Sequence, residues 1–154
     1  MGEATIALNR KARHDYLIED TLEAGIVLVG TEIKSVRAHK VNITDGFVRI
    51  ERHQAWLVGA HIAPWEGGNR WNHEAKRDRK LLLHRFQIIA LGVKMKAKGM
   101  TIVPLRLYID ARGHAKVELG IGRGKKLYDR RREIAERDSR RDMARELADV
   151  TRGR

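Results

Sequence analysis

Cations are the residues in this chain with the most chemistry to offer, and the first question is whether any of them sits in a catalytic or cofactor-binding pattern. The stretch GIGRGKK, Gly120 to Lys126, resembles a phosphate loop at first sight. Its spacing fails. A P-loop places four residues between its glycines and a Ser or Thr after its lysine; here three intervene, and Lys126 follows Lys125. The dinucleotide pattern fails as well, because Lys125 stands where the third glycine belongs. The stretch reads instead as a strand end with permissive glycines, from which Lys125 and Lys126 can approach phosphates. Seven histidines are present, but none lies in an HExxH or in a short pairing with carboxylates on one helix face. The acids are scattered, with no pair set up for general acid–base work. The expectation is therefore no catalytic residue, no metal and no cofactor.

Non-catalytic chemistry is more promising. The formal net charge is +12 over 154 residues, with a pI near 10.5, which favours a polyanionic partner. From Arg123 to Arg154 there are twelve Lys and Arg against seven Asp and Glu, and no Trp, Phe or Pro. Placed on a helix, Arg130, Arg137, Arg141 and Arg145 fall within an arc of about 80°. Ile134 and Ala148 share that arc, and the other apolar residues scatter, so no stripe docks this segment on a core. Glu133 with Arg137 and Glu136 with Arg140 offer local ion pairs worth roughly 0.2–0.5 kcal/mol each. A helix without a packed face is marginal in water. The segment is expected to be disordered in the free chain and helical once its arginines meet phosphates. Two further basic groups lie upstream: Arg10, Lys11 and Arg13 after Asn9, and Arg77, Arg79 and Lys80.

These cations need elements to hold them. The 42% hydrophobic content allows a modest core. GIVLV, Gly25–Val29, suits a buried strand, followed by a short helix near Glu32–Arg37. Phe47–Arg52 alternates and turns at His53-Gln54 into AWLVGAHI. A second hairpin places Val103, Leu105, Leu107 and Ile109 on one face, with Arg106 and Tyr108 opposite. It turns at Asp110–Gly113 and returns with Ala115, Val117, Leu119 and Ile121 inward. Pro104 marks an edge or a bulge. Between the hairpins, Leu82, Phe86, Ile89 and Val93 form a stripe of helical period, with Asp78 as cap and Gly99 as stop. Cations at 77–80 would then crowd a helix N-terminus. Pro64 to Arg77 is a polar connection carrying Trp65 and Trp71, with flexibility suggested by Gly67-Gly68. The pattern fits a mainly β chain with helices: an OB-like small β-barrel at 1–123 and a basic C-terminal tail at 124–154. No run approaches the ~20 apolar residues of a membrane span, the start has no signal-type apolar run, and cysteine is absent. The expectation is a cytoplasmic protein with no membrane partner.

Four stretches together resemble one family, the SsrA-binding proteins, also called small protein B. They are NRKARHDYLIEDTLEAGIVLVGTEIKSVRAHKVNITD, PWEGGNRWNHEAKRDRKLLL, KGMTIVPL and KVELGIGRGKKLYDRRRE, and the likeness runs from Ala4 to Glu133. The resemblance implies an OB-like barrel with a basic tail and no catalytic chemistry. It implies binding of transfer-messenger RNA in trans-translation, promotion of that RNA's alanylation, and its delivery to stalled ribosomes. Elongation factor Tu would be met indirectly, and DNA not at all. The RNA-binding residues it implies are Asn9, Arg10, Lys11, Arg13, Glu23, Lys34, Arg37, Arg79, Lys80, Leu82, Lys116, Lys125 and Lys126. The tail residues it implies at the ribosome's vacant message channel and decoding region are Tyr128, Asp129, Arg130, Arg131, Arg132, Arg137, Arg141 and Arg145. Two positions depart from the family pattern: Arg130, where Lys is usual, and Ala75, where Pro is usual. Charge alone also fits a structural ribosomal protein or an RNA-processing enzyme.

Overall fold

A computed structural model describes residues 3–68 and 72–152, the side chains of 98, 126–134 and 149–152 excepted. Trp71 lies outside the described residues. Strand β1 (Ala4–Leu8) leads through helix α1 (Arg10–Asp15) into the long strand β2 (Tyr16–Ile26). Helix α2 (Gly30–Arg37), β3 (Val41–Asn42), β4 (Phe47–Glu51), β5 (Gln54–Val58), β6 (His61–Ile62) and β7 (Arg79–Leu82) follow. Helix α3 (Arg85–Lys98), β8 (Thr101–Ile109), β9 (Ala115–Gly124) and helix α4 (Lys125–Arg152) complete the chain. Among the described residues one antiparallel sheet has the order β1-β8-β9-β2-β7-β5-β4, and β3 pairs with β6. The large sheet curls until β4 lies alongside β8, giving the mainly β, barrel-like body that the alternating patterns predict. Its core holds Ala24, Val48, Leu57, Leu81, Leu107, Val117 and Leu119, each at most 1% exposed.

The second hairpin forms where expected. Asp110 Oδ1 accepts from the amides of Arg112 and His114, and Gly113 takes φ +85°. Its single inward face does not survive: the register shifts between Pro104 and Arg106. That bulge sends Val103 and Leu105 against Ala12, and Ile102 and Leu107 into the main core. Pro104, opposite Leu119 of β9 and beyond the last β1 pair at Leu8–Arg106, is accommodated by this bulge, since it has no amide to donate. The strand expected at Gly25–Val29 is β2, which is longer and earlier. It spans Tyr16–Ile26 because β9 pairs with it from Gly124 back to Lys116, and Val27 and Val29 are exposed. The turn between β4 and β5 is Arg52-His53, both with positive φ as a two-residue hairpin requires, and Gln54 already belongs to β5.

The helix predicted from Asp78 to Gly99 is a strand followed by a shorter helix. Residues 79–82 pair with β2 and β5, and Asp78 caps nothing; it pairs with Arg49 at 3.3 Å. Helix α3 starts at Arg85, where the His84 amide donates to Gln87 Oε1, and it stops at Gly99 in the left-handed conformation. The stripe of Phe86, Ile89 and Val93 faces solvent, while Ile88 and Leu91 are buried. Both sets have helical spacing, so the helix is apolar on two faces.

The glycines of GIGRGKK form the end of β9, as the sequence reading has it, with Gly124 its last residue. A Cβ on Gly122 would overlap the carbonyl oxygen of Leu17 on β2, and one on Gly120 would stand 2.9 Å from Leu105. Close approach of three strands fixes these residues. Gly122→Ala is expected to push β2 off β9 and cost at least about 1–3 kcal/mol, as overpacking does; a lowered urea midpoint checks it.

Candidate nucleic-acid interface

The long β2–β9 ladder separates the implied residues into two groups. At one end Gly25 lies opposite Lys116, and β7 joins the same edge through Leu82 opposite Gly25. Glu23, Lys80, Leu82 and Lys116 line one concave cavity of about 710 Å³. A neighbouring cavity of about 550 Å³ is lined by Arg37, Leu82 and Lys116. Leu82 forms the ridge between them and is 55% exposed, so the buried helical position expected for it is overturned. Alternation along β7 sends Leu81 inward and Leu82 outward. Lys116 Nζ reaches Glu23 Oε1 at 3.5 Å. Lys34 shares exposed positions on α2 with Arg37.

At the other end Tyr16 lies opposite Gly124, about 30 Å away at strand rise. Here α1 contacts α4. Arg10, Lys11 and Arg13 are exposed on α1, and Lys125, half-buried, opens α4. Lys11 also lines a cavity of about 310 Å³ beside Tyr16 and Phe47. Among the described side chains of α4, those from Ala135 to Ala148 are all exposed, including Arg137, Arg141 and Arg145. The side chains of Lys126, Tyr128, Asp129, Arg130, Arg131 and Arg132 lie outside the described residues. The segment that the sequence reading expects to be disordered when free and helical when bound is helix α4 in the structure.

Asn9 and Arg79 depart from direct contact. Asn9 is 5% exposed; its side chain accepts from the Ala12 amide at 3.1 Å, capping α1, and donates to the Pro104 carbonyl at 2.9 Å. Arg79 is fully buried. It donates to Glu32 at 2.6 Å, to the Ala60 carbonyl at 2.7 Å and to the Ala75 carbonyl at 3.0 Å. With their polar atoms committed inward, both residues position their neighbours. Arg79 orients β7, whose alternate residue Lys80 faces the cavity. Ala75, in place of the usual proline, contributes only its carbonyl to this arrangement, and that group is kept by either residue.

Glu32 is the residue that the sequence hid. It is fully buried and holds both Arg77 and Arg79, while its other bond takes the Val29 amide at 2.9 Å at the start of α2. Burial pushes its pKa up; the hydrogen bonds from Arg77, Val29 and Arg79 outweigh that and leave it below the ordinary value. For Arg79, burial pulls the guanidinium down against the opposing pull of Glu32. The described parts of the connection that read as flexible, 64–68 and 72–77, are tied down by hydrogen bonds of their own as well as by the Arg77–Glu32 pair. Asn72 bonds both the amide and the carbonyl of Trp65, and His73 bridges Thr31 and the Ile62 carbonyl. Arg52, His53, His84 and Arg85 add cationic or titratable lining to the larger cavity; only the polar turn at 53–54 hinted at them.

The whole chain is similar to known proteins. The family model described as "SmpB protein" matches residues 6–149. An SsrA-binding protein of Roseiflexus sp. (strain RS-1) is 56% identical over 151 residues, covering 97% of this chain and 95% of the relative. One from Desulfitobacterium hafniense is 51% identical over 152 residues, covering 99% and 97%. A solved structure described as "tmRNA-SmpB: a journey to the center of the bacterial ribosome" superimposes with a TM-score of 0.65 at 50% identity, over 77% of this chain and 83% of that one. The match takes in both ends of the β2–β9 ladder, the Glu32 clamp and most of the terminal helix, and the chain belongs to the SmpB protein family.

Proposed function

We propose that this chain is a non-enzymatic adaptor that binds transfer-messenger RNA and carries it to stalled ribosomes in trans-translation, working in the cytoplasm. The observation that supports this most is the clustering of Glu23, Lys80, Leu82 and Lys116 around one cavity, in a chain more than half identical to SsrA-binding proteins along its length. A carboxylate, two ammonium groups and an exposed apolar ridge suit folded RNA with unstacked bases better than uniform duplex. Cations meet phosphates, the carboxylate accepts from base or ribose donors, and the ridge packs on a base face.

The labour divides along the chain. Residues 1–123 grip the RNA through Arg10, Lys11, Arg13, Glu23, Lys34, Arg37, Lys80, Leu82 and Lys116, continued by Lys125 and Lys126, with Asn9 and Arg79 holding the frame. Residues 124–154 enter the message channel and decoding region left vacant on a stalled ribosome. There Arg130, Arg131, Arg132, Arg137, Arg141 and Arg145 meet ribosomal phosphates, and Tyr128, beside Asp129, offers a stacking face worth about 1–3 kcal/mol. The RNA is alanylated with this protein's help and travels with elongation factor Tu, which the chain meets only indirectly.

Sequencing the RNA that copurifies with the protein tests the identity of the ligand. Enrichment of transfer-messenger RNA is expected; bulk ribosomal RNA retained stoichiometrically on unstalled, high-salt-washed ribosomes would point to a structural ribosomal protein instead. Salt gives the second test. With about 6–10 phosphate contacts, affinity is expected to fall by roughly 10³–10⁵ between 50 and 200 mM salt. A flat response would rule out recognition dominated by the RNA backbone.

A further inference from the structure

The outer face of the sheet carries a buried tyrosine, which is an unusual place for one. Arg106 and Tyr108 point away from the main core, as the alternation predicts, yet Tyr108 is 1% exposed. Its cover is the Arg106 guanidinium, centred 4.1 Å from the ring centroid. Arg106 is itself pinned, donating to Glu118 at 2.7 Å, Glu3 at 3.0 Å and Thr5 at 3.2 Å. A cation stacked on a ring and held by two carboxylates cannot move without breaking several contacts at once.

Tyr108 lies directly opposite Lys116 across the β8–β9 pair, and Lys116 lies opposite Gly25 across β9–β2. Gly25 has no side chain there because Leu82 fills the space, its Cβ 3.2 Å from where a Cβ on Gly25 would stand, and the Lys116 ammonium leans to Glu23. The Glu23 carboxylate also meets the Tyr108 hydroxyl. After burial, that meeting is the main reason the phenol holds its proton to higher pH than usual. Glu23 is thus approached by the partly exposed ammonium of Lys116 and by the hydroxyl of a tyrosine that is buried under Arg106.

We propose that Arg106 and Tyr108 are positioning residues for RNA recognition: the stacked pair fixes the Tyr108 hydroxyl, which orients the Glu23 carboxylate and, with it, Lys116 at the mouth of the cavity. This rests on the reading of Glu23 as an RNA contact. An unbraced glutamate that is 54% exposed samples several rotamers, and ordering it on binding costs affinity. Held between the tyrosine and Lys116, the carboxylate presents its remaining lone pairs to donors on the RNA, amino or hydroxyl groups, which an acceptor-only carboxylate selects.

A double-mutant cycle on the full-length protein tests this, with transcribed transfer-messenger RNA as probe. Tyr108→Phe removes only the hydroxyl. It is expected to weaken binding by about tenfold with Glu23 present and by less than about twofold in the Glu23→Gln background, because one hydrogen bond to a charged group is being read. Arg106→Lys, which loosens the cover and leaves the hydroxyl, is expected to repeat the pattern with a smaller loss. Urea midpoints for each variant separate folding from binding. Equal losses in both backgrounds would make Tyr108 merely structural and overturn the proposal. Loss with Glu23→Gln but none with Tyr108→Phe would overturn the brace and leave the Glu23 contact standing. No loss with either substitution would remove Glu23 from the interface, and the brace with it.

Discussion

Truncation after Glu133 is expected to abolish tagging at stalled ribosomes while leaving affinity for transfer-messenger RNA within a few-fold of the full chain. The removed segment includes Arg137, Arg141 and Arg145, which share one helix face, and every described side chain from Ala135 to Ala148 is exposed. Those residues make no packed face with the body, so the body loses no core when they go. The cavity at the far end of β2–β9 keeps Glu23, Lys80, Leu82 and Lys116. A filter-binding titration beside a tagging assay on stalled ribosomes reads both halves. A large loss of RNA affinity on truncation would show that the tail shares the RNA-binding surface and would defeat the division at residue 124. Charge reversal at Arg137, Arg141 and Arg145 together should reproduce the tagging defect in a chain of unchanged length.

The second large effect is at Glu32. Glu32→Ala leaves the buried Arg79 guanidinium without its counter-charge and frees Arg77 from the same carboxylate. Removing one partner of a buried ion pair costs about 3–5 kcal/mol, a large part of the roughly 5–15 kcal/mol that holds a domain together. Urea denaturation should show the loss directly. Replacing Arg79 by Met in the same chain should recover part of it, since the unpaired buried charge is then gone. The pH dependence carries a fixed sign. The Glu32 pKa is lowered in the folded state from its ordinary value of 4.5. Its contribution is therefore complete above that value and is lost as pH falls through the folded pKa, because the unfolded chain takes up the proton first. Glu32→Gln should flatten the acid limb of the stability profile; an unchanged limb would mean that Glu32 is not what acid titrates.

What could be read in advance follows from the range of the interactions. The β8–β9 hairpin was legible because its alternation and its Asp-Ala-Arg-Gly turn are local. The bulge that splits its inner face was signalled only by Pro104. Helix α3 was legible as a helix, but the periodicity singled out Phe86, Ile89 and Val93, which are exposed, and passed over Ile88 and Leu91, which are buried. Arg79 and Lys80 look alike in sequence. What separates them is strand alternation, and an apolar helical pattern overlapping β7 concealed it. Glu32 and Arg79 stand far apart in the chain and meet only after α2 and β7 come together, so no local signal marks either one. The implied surface residues that gather around the cavity came from resemblance, and the cations lining it from the β4–β5 turn were placed there by the fold alone.

Helix α4 begins at Lys125, the residue after β9 ends. There is no tether of slack chain between the gripping body and the probing end. When helical, its 28 residues form a rod about 42 Å long whose aim is inherited from a strand at the centre of the sheet. Gly124 joins the two elements, and a methyl group there would meet nothing within 4 Å. Stiffening or loosening that joint should therefore change where the tip of the helix points without altering the residues at either end.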